Sequence, residues 1–344
     1  MIADHDNRAI RIDFDLANFS DRSQTVQYGA EFAEWPGGRK AHAIEGQAVR
    51  IGPGETRRVS VRGLWADPKA WTPETPNLYT AVLQGRAGGR LVDEAAPARF
   101  GYRQISVKGG DIVLNGRRMM PRGKSHNYLG GYGFDRADIH RLKNTGQNAD
   151  RTHKPTYPQN LHTIDTLSIC DEEGWLVTFE LSGRQVHLED PEATRINISN
   201  MLRLVGNHPS VWCWQRSGNG YVFGPHGHPM HIGGVVPEEV KEKEWAYKVT
   251  RMLNAIDPTH PCYYYRHGAG GNIRAIMVSL SFGTPIQDME EWISHWAEHK
   301  SDPFMPVEQQ IFSRPAFLWQ RGSKKANLLE QNARFFGERG YERL

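Results

Sequence analysis

Cysteine is scarce in this chain: Cys170, Cys213 and Cys262 are the three among 344 residues, far apart and with no Cys-x-x-Cys pair. That spacing excludes a disulfide framework and a cysteine zinc site, and each cysteine reads as a small buried apolar residue. Long apolar runs are missing too. No stretch approaches the roughly 20 apolar residues of a membrane helix, so the chain is expected to be soluble and not to span a bilayer. Nor is there an excess of one charge, since 42 basic and 39 acidic residues leave a formal +3 with no Lys/Arg block. A nucleic-acid partner is therefore not expected, and a neutral or weakly charged substrate is. The opening Met1-Ile-Ala-Asp-His-Asp-Asn7 lacks the charged and apolar regions of a secretion signal, which leaves the compartment open.

What is present changes character near residue 106. Before it, short alternating runs such as Ile10-Arg-Ile-Asp-Phe-Asp-Leu16 and Arg57-Arg-Val-Ser-Val-Arg62 are separated by turn clusters at 18–23, 36–38 and 52–54. Runs so spaced predict an antiparallel, immunoglobulin-like β-sandwich over 1–106. After it, strand, loop and helix alternate, the pattern of parallel βαβ units. Leu114-Asn-Gly-Arg leads through a small hairpin to a first strand ending near His126, and further strands are expected at 147–153, 175–180, 211–215, 261–265, 273–280 and 304–308. Helices are expected at 135–145, around 165–171, at 190–206, 237–257 and 285–300, and near the C-terminus. The expected fold class is thus multidomain β and α/β, a sandwich followed over 107–344 by a (β/α)8-type TIM barrel lacking its eighth strand. Such a barrel has an open seam between its first and seventh strands, left exposed or covered by another copy in a homo-oligomer.

Several motifs have more than a periodic character. Trp71-Thr-Pro-Glu-Thr-Pro-Asn-Leu-Tyr79 and Phe100-Gly-Tyr-Arg103 close the sandwich half. Asn148-Ala-Asp-Arg-Thr-His153 ends the second barrel strand, and Asn207-His-Pro-Ser-Val-Trp-Cys-Trp-Gln-Arg-Ser-Gly-Asn-Gly-Tyr221 surrounds the fourth. Together, and in this order, they resemble the family 2 glycoside hydrolases, the β-galactosidase and β-glucuronidase relatives. The resemblance covers essentially the whole chain. It implies a β-linked carbohydrate substrate, no cofactor, and a retaining mechanism with two carboxylates about 5 to 5.5 Å apart. The plentiful tryptophans, ten in all, suit either stacking on sugar faces or core packing.

Family members carry an Asn-Glu pair after the fourth strand whose Glu is the acid/base. Here that slot falls on Asn219, or on Gly220 with one residue inserted, and neither side chain can protonate a leaving group. The implied nucleophile is Glu308, at the end of the seventh strand, where catalytic side chains of this fold project. His126, Arg151 and His153 match positions lining the sugar pocket, with Arg151 keeping the nucleophile ionised. Glu180, Trp214, Asn219 and Tyr265 complete the expected substrate-binding set. Strand alternation sends Asp150 to the face opposite Arg151, and puts Trp212 and Trp214 on one face. His226, His228 and His231 have a zinc-like spacing, but Gly and Pro surround them and no metal is expected. Two readings stay open: a β-glycosidase with a substitute acid, and a carbohydrate-binding relative that has lost catalysis.

Overall fold

The computed structural model describes residues 1–108, 111–124, 135–151, 161–181, 190–216, 248–249, 251–264, 274–276 and 304–306. The first eight strands form two antiparallel sheets. One joins β1 (Ile2–Asp4), β2 (Ala9–Ala17) and β5 (Thr56–Leu64) in the order β1-β2-β5. The other has β4 (Lys40–Ile51), β3 (Gln24–Trp35), β6 (Leu78–Ala87) and β7 (Arg90–Glu94) in that order, with β8 (Ala98–Phe100) also pairing β6. Alternation explains the layering: on β5, Val59 and Val61 are buried while Arg58, Ser60 and Arg62 are exposed. Ile10, Ile12, Val59 and Val61 of one sheet meet Tyr28, Phe32, Ile44 and Tyr79 of the other in a single core. This is the expected sandwich.

A three-stranded meander follows, β9 (Ile105–Lys108), β10 (Asp111–Leu114) and β11 (Arg117–Met119). Its tight turn is Asn115-Gly116, both at positive φ (50° and 78°), the backbone a two-residue type I′ hairpin demands. The remaining strands are parallel. β12 (Gly123–Lys124), β13 (Ala149–Arg151), β14 (Leu176–Leu181), β15 (Val211–Arg216) and β16 (Cys262–Tyr264) pair in chain order, and β17 (Arg274–Ile276) pairs β18 (Phe304–Pro306). Between them lie α1 (Arg136–Lys143), α2 (Leu161–Glu173), α3 (Pro191–Val205) and a helical stretch at 251–256.

The helices start where local chemistry says they should. Asp135 and Asp138 form a reciprocal capping box at α1, and Asp190 caps α3 ahead of Pro191 in its first turn. Thr194, Ile198, Met201 and Val205 make the buried stripe of α3, and Ile139 and Leu142 that of α1. These stripes pack on Val177, Phe179, Leu181, Val211 and Trp214 of the sheet. A third core joins Leu176, Trp212 and Cys213 to Ile105, Ile112 and Leu114 of the meander and to Trp71 of the sandwich.

Each of the seven stretches read as a parallel strand contains one. The start of the helix read at 237–257, the whole of the helix read at 285–300, the C-terminal helix, and any eighth strand or seam lie outside the described residues. Among the described residues no helix is long and apolar enough to cross a membrane.

One expectation is overturned. Trp212 and Trp214 do not share a face, because the β14–β15 register jumps from Val177↔Val211 to Thr178↔Cys213. The extra residue, Trp212, forms a bulge that resets the alternation. Trp212 joins the core with the meander, and Trp214 joins the helix-side core.

Candidate active site

Parallel strands have two chemically different ends, and here both can be followed from the register. Val177 and Phe179 of β14 face the helices, so alternation puts Thr178 and Glu180 on the opposite face. The register then sets two rows across the sheet: Arg151, Thr178 and Cys213, and one step nearer the strand ends Glu180, Gln215 and Tyr263. Asp150 is level with Val177 on the helix side and is 3% exposed, in keeping with a structural part. Glu180 and Gln215 are buried polar residues one residue before the ends of their strands. In a parallel α/β array such a row lies under the loops that carry ligands.

The other expected residues lie outside the described residues. His126 and His153 fall two positions beyond β12 and β13, Asn219 three beyond β15, Tyr265 one beyond β16 and Glu308 two beyond β18. His226, His228 and His231 are also outside. Among the described residues no group of three or more His, Cys, Asp or Glu could hold a metal ion.

Trp214 is a correction to the expected substrate-binding set. Its side chain is fully buried, edge-on to Phe179 at 5.8 Å, and its Nε1 donates to Asp257 Oδ2 at 2.9 Å. The bulge turns the ring toward the helices, where a sugar has no access.

The opposite end of the strands carries a dense polar network that the sequence motifs did not reveal as such. Asp171, at the end of α2, accepts from His208 Nδ1 (2.6 Å), Ser210 Oγ (2.6 Å) and Ser210 N (3.1 Å). Arg99 of the sandwich reaches the same carboxylate at 3.6 Å and donates to Ser168 O at 3.0 Å. The Trp71 indole donates to Asp171 O at 2.9 Å. The Asn-His-Pro-Ser turn therefore ties the sandwich to the floor of the sheet. Backbone approach is close enough to need glycine: a Cβ on Gly101 would lie 2.7 Å from Pro209 and Trp71, and one on Gly174 would lie 2.2 Å from Pro73 O.

A second chain of bonds runs beside the first. Arg103 donates through Nη2 to Val211 O and lies 2.8 Å from His260 Nε2. An arginine has no acceptor, so His260 Nε2 accepts and its Nδ1 donates to Asp257 Oδ2 at 2.7 Å. Asp257 also takes bonds from Trp214 and Thr259. Burial alone would raise its carboxyl, but the neighbouring His260 and the hydrogen bonds from His260, Thr259 and Trp214 hold it far below the carboxylate range. Burial pushes the Cys170 and Cys213 thiols well up, in keeping with small packed apolar residues.

The geometry agrees with what comparison with known proteins shows. The profile of the glycosyl hydrolases of family 2 matches residues 1–103. A β-galactosidase of Vibrio vulnificus (strain YJ016) is 32% identical over 302 residues, 79% of this chain and 26% of that protein. A β-galactosidase of Photobacterium profundum is 28% identical over 79% of this chain and 26% of its own length. Among solved structures, a Bacteroides uniformis β-glucuronidase superposes with a TM-score of 0.62 at 20% identity, over 86% of this chain and 37% of that one. The chain belongs to glycosyl hydrolase family 2. It spans about a quarter of the length of the β-galactosidases it matches.

Proposed function

We propose that the chain acts on β-linked glycosides, with residues 1–106 as the sandwich and 107–344 as the TIM-barrel portion that carries the chemistry. The supporting observation is the row Glu180, Gln215 and Tyr263 at the C-terminal ends of a parallel sheet whose other end is sealed by the sandwich. Glu308 follows β18 by two residues and is the proposed nucleophile, attacking the anomeric carbon as the aglycone leaves. Arg151, level with Thr178, is one row below Glu180. His126, His153, Asn219 and Tyr265 follow the neighbouring strands and are the proposed sugar contacts.

Since neither Asn219 nor Gly220 can donate a proton, Glu180 is the proposed second carboxylate. Glycosides with activated aryl leaving groups need little proton donation, so they are the substrates of choice. Turnover of an aryl β-glycoside panel is expected, with loss of all measurable turnover in Glu308→Gln. Glu180→Gln is expected to slow poor leaving groups by about 10²- to 10⁴-fold and activated ones far less. Unchanged turnover in Glu308→Gln would sink the assignment. The missing strand-four Glu also supports a second reading, a carbohydrate-binding relative without catalysis, recognised by saturable glycan binding with no turnover of any activated glycoside.

A further inference from the structure

At the sealed end of the sheet, a cleft of about 480 Å³ opens between the first strand, the link from β8 to β9, and the turns at 206–209 and 258–260. Arg103 forms part of its wall. One arm of this guanidinium is engaged with Val211 O and His260, while its buried Nε has no acceptor. Among the described residues no carboxylate is within ion-pair distance of it; Asp257 and Asp171 act on it only through space. Burial lowers its pKa to about 10, so it stays charged at neutral pH. A buried cation with no ion-pair partner among the described residues is costly, and an anion in the cleft beside it would offset that cost.

Other residues of the lining have a different chemistry. Asp4, Asp6 and Asn7 are among them, with Asp4 holding the Asn7 amide at 3.0 Å and Asp6 accepting from Gln104 Nε2 at 3.2 Å. These groups disfavour a plain anion such as phosphate, yet they have lone pairs and amide protons suited to hydroxyl groups. The lining thus suits a ligand with one negative charge and several hydroxyls.

We propose that this cleft binds a carboxylate-bearing sugar, with the carboxylate on Arg103 and the hydroxyls on Asp4, Asp6 and Asn7. It is an accessory glycan site, at the opposite end of the strands from the proposed hydrolytic one, and it stands whether or not the chain hydrolyses glycosides. Titration calorimetry with glucuronate, galacturonate, glucose, galactose and acetate tests it. At least one uronate is expected to bind saturably, with both neutral sugars and acetate about tenfold weaker or worse. Arg103→Gln is expected to weaken uronate binding by at least about thirtyfold, the loss typical of a charged hydrogen-bond partner. Asn7→Trp, at an exposed position on the rim, blocks the cleft without removing Arg103 and is expected to abolish binding while the protein stays folded. Glu308→Gln is expected to bind uronate normally. Failure of both uronates to bind, equal binding of glucose or acetate, or full affinity in Asn7→Trp overturns the proposal. Loss in Glu308→Gln with retention in Asn7→Trp moves the ligand to the other end of the strands.

Discussion

The two ends of the parallel strands are built on different principles. At the end facing the sandwich, three of the chain's motifs converge: Trp71 on Asp171, Arg99 on Asp171 and Glu172, His208 and Ser210 on Asp171, and Arg103 on Val211 and His260. At the other end, Glu180 and Gln215 form a buried polar row, and the expected sugar contacts come one to three residues after the strands. The lesson is that a motif's visibility in sequence does not locate the chemistry. Asn207-His-Pro-Ser210 is the most recognisable run in the chain, and its side chains fasten one half of the molecule to the other. Close-packed polar networks tolerate few residue types, whereas a loop that touches substrate is constrained only where it touches.

Mutations at the sealed end that spare the Arg103 cleft should therefore change stability and leave glycoside turnover alone. The largest effect is expected from Asp171→Ala, which strands His208, Ser210 and Arg99 around an empty acceptor. Loss of such a buried charged partner costs about 3–5 kcal/mol, measured by urea unfolding. Gly174→Ala comes next. Its φ is +64° and the added carbon would meet Pro73 O, so about 1–3 kcal/mol of overpacking adds to backbone strain. Trp214→Phe removes one bond to Asp257 and should cost about 1–2 kcal/mol while leaving the KM of any glycoside substrate unchanged. A raised KM would place Trp214 at the sugar after all and break the comparison.

The smallest effect is one of pH. Asp257 is held below its unfolded pKa, so its contribution is fully present above that value and is lost as pH falls toward the folded one. Thermal unfolding should show it undiminished above about pH 5 and declining steadily below, with Asp257→Asn less stable at pH 7 and less sensitive to acid. Equal acid sensitivity in both proteins would remove Asp257 from the network.

Much of this architecture is legible in the residues. Alternation in Arg57–Arg62 predicted β5, and the Asn115-Gly116 pair a hairpin of its own. The seven parallel stretches were each located because apolar runs between turn residues have few other uses. The pairing of Asp171 with His208 and Ser210 was not legible, because it joins residues 37 and 39 positions apart with no periodic sign. Trp214 was misassigned for a related reason: one bulged residue, invisible in the sequence, reverses every side chain beyond it.

By itself, the order of residues decided that this chain is a sandwich followed by parallel strand–helix units, since periodicity and turn chemistry are local properties. It also decided that the usual proton donor after the fourth strand is absent. Only the folded chain decided which end of the sheet is sealed, which indole faces the helices, and where Arg103 is left with an unspent donor. Those outcomes depend on contacts between segments distant in the chain, and no local pattern encodes them.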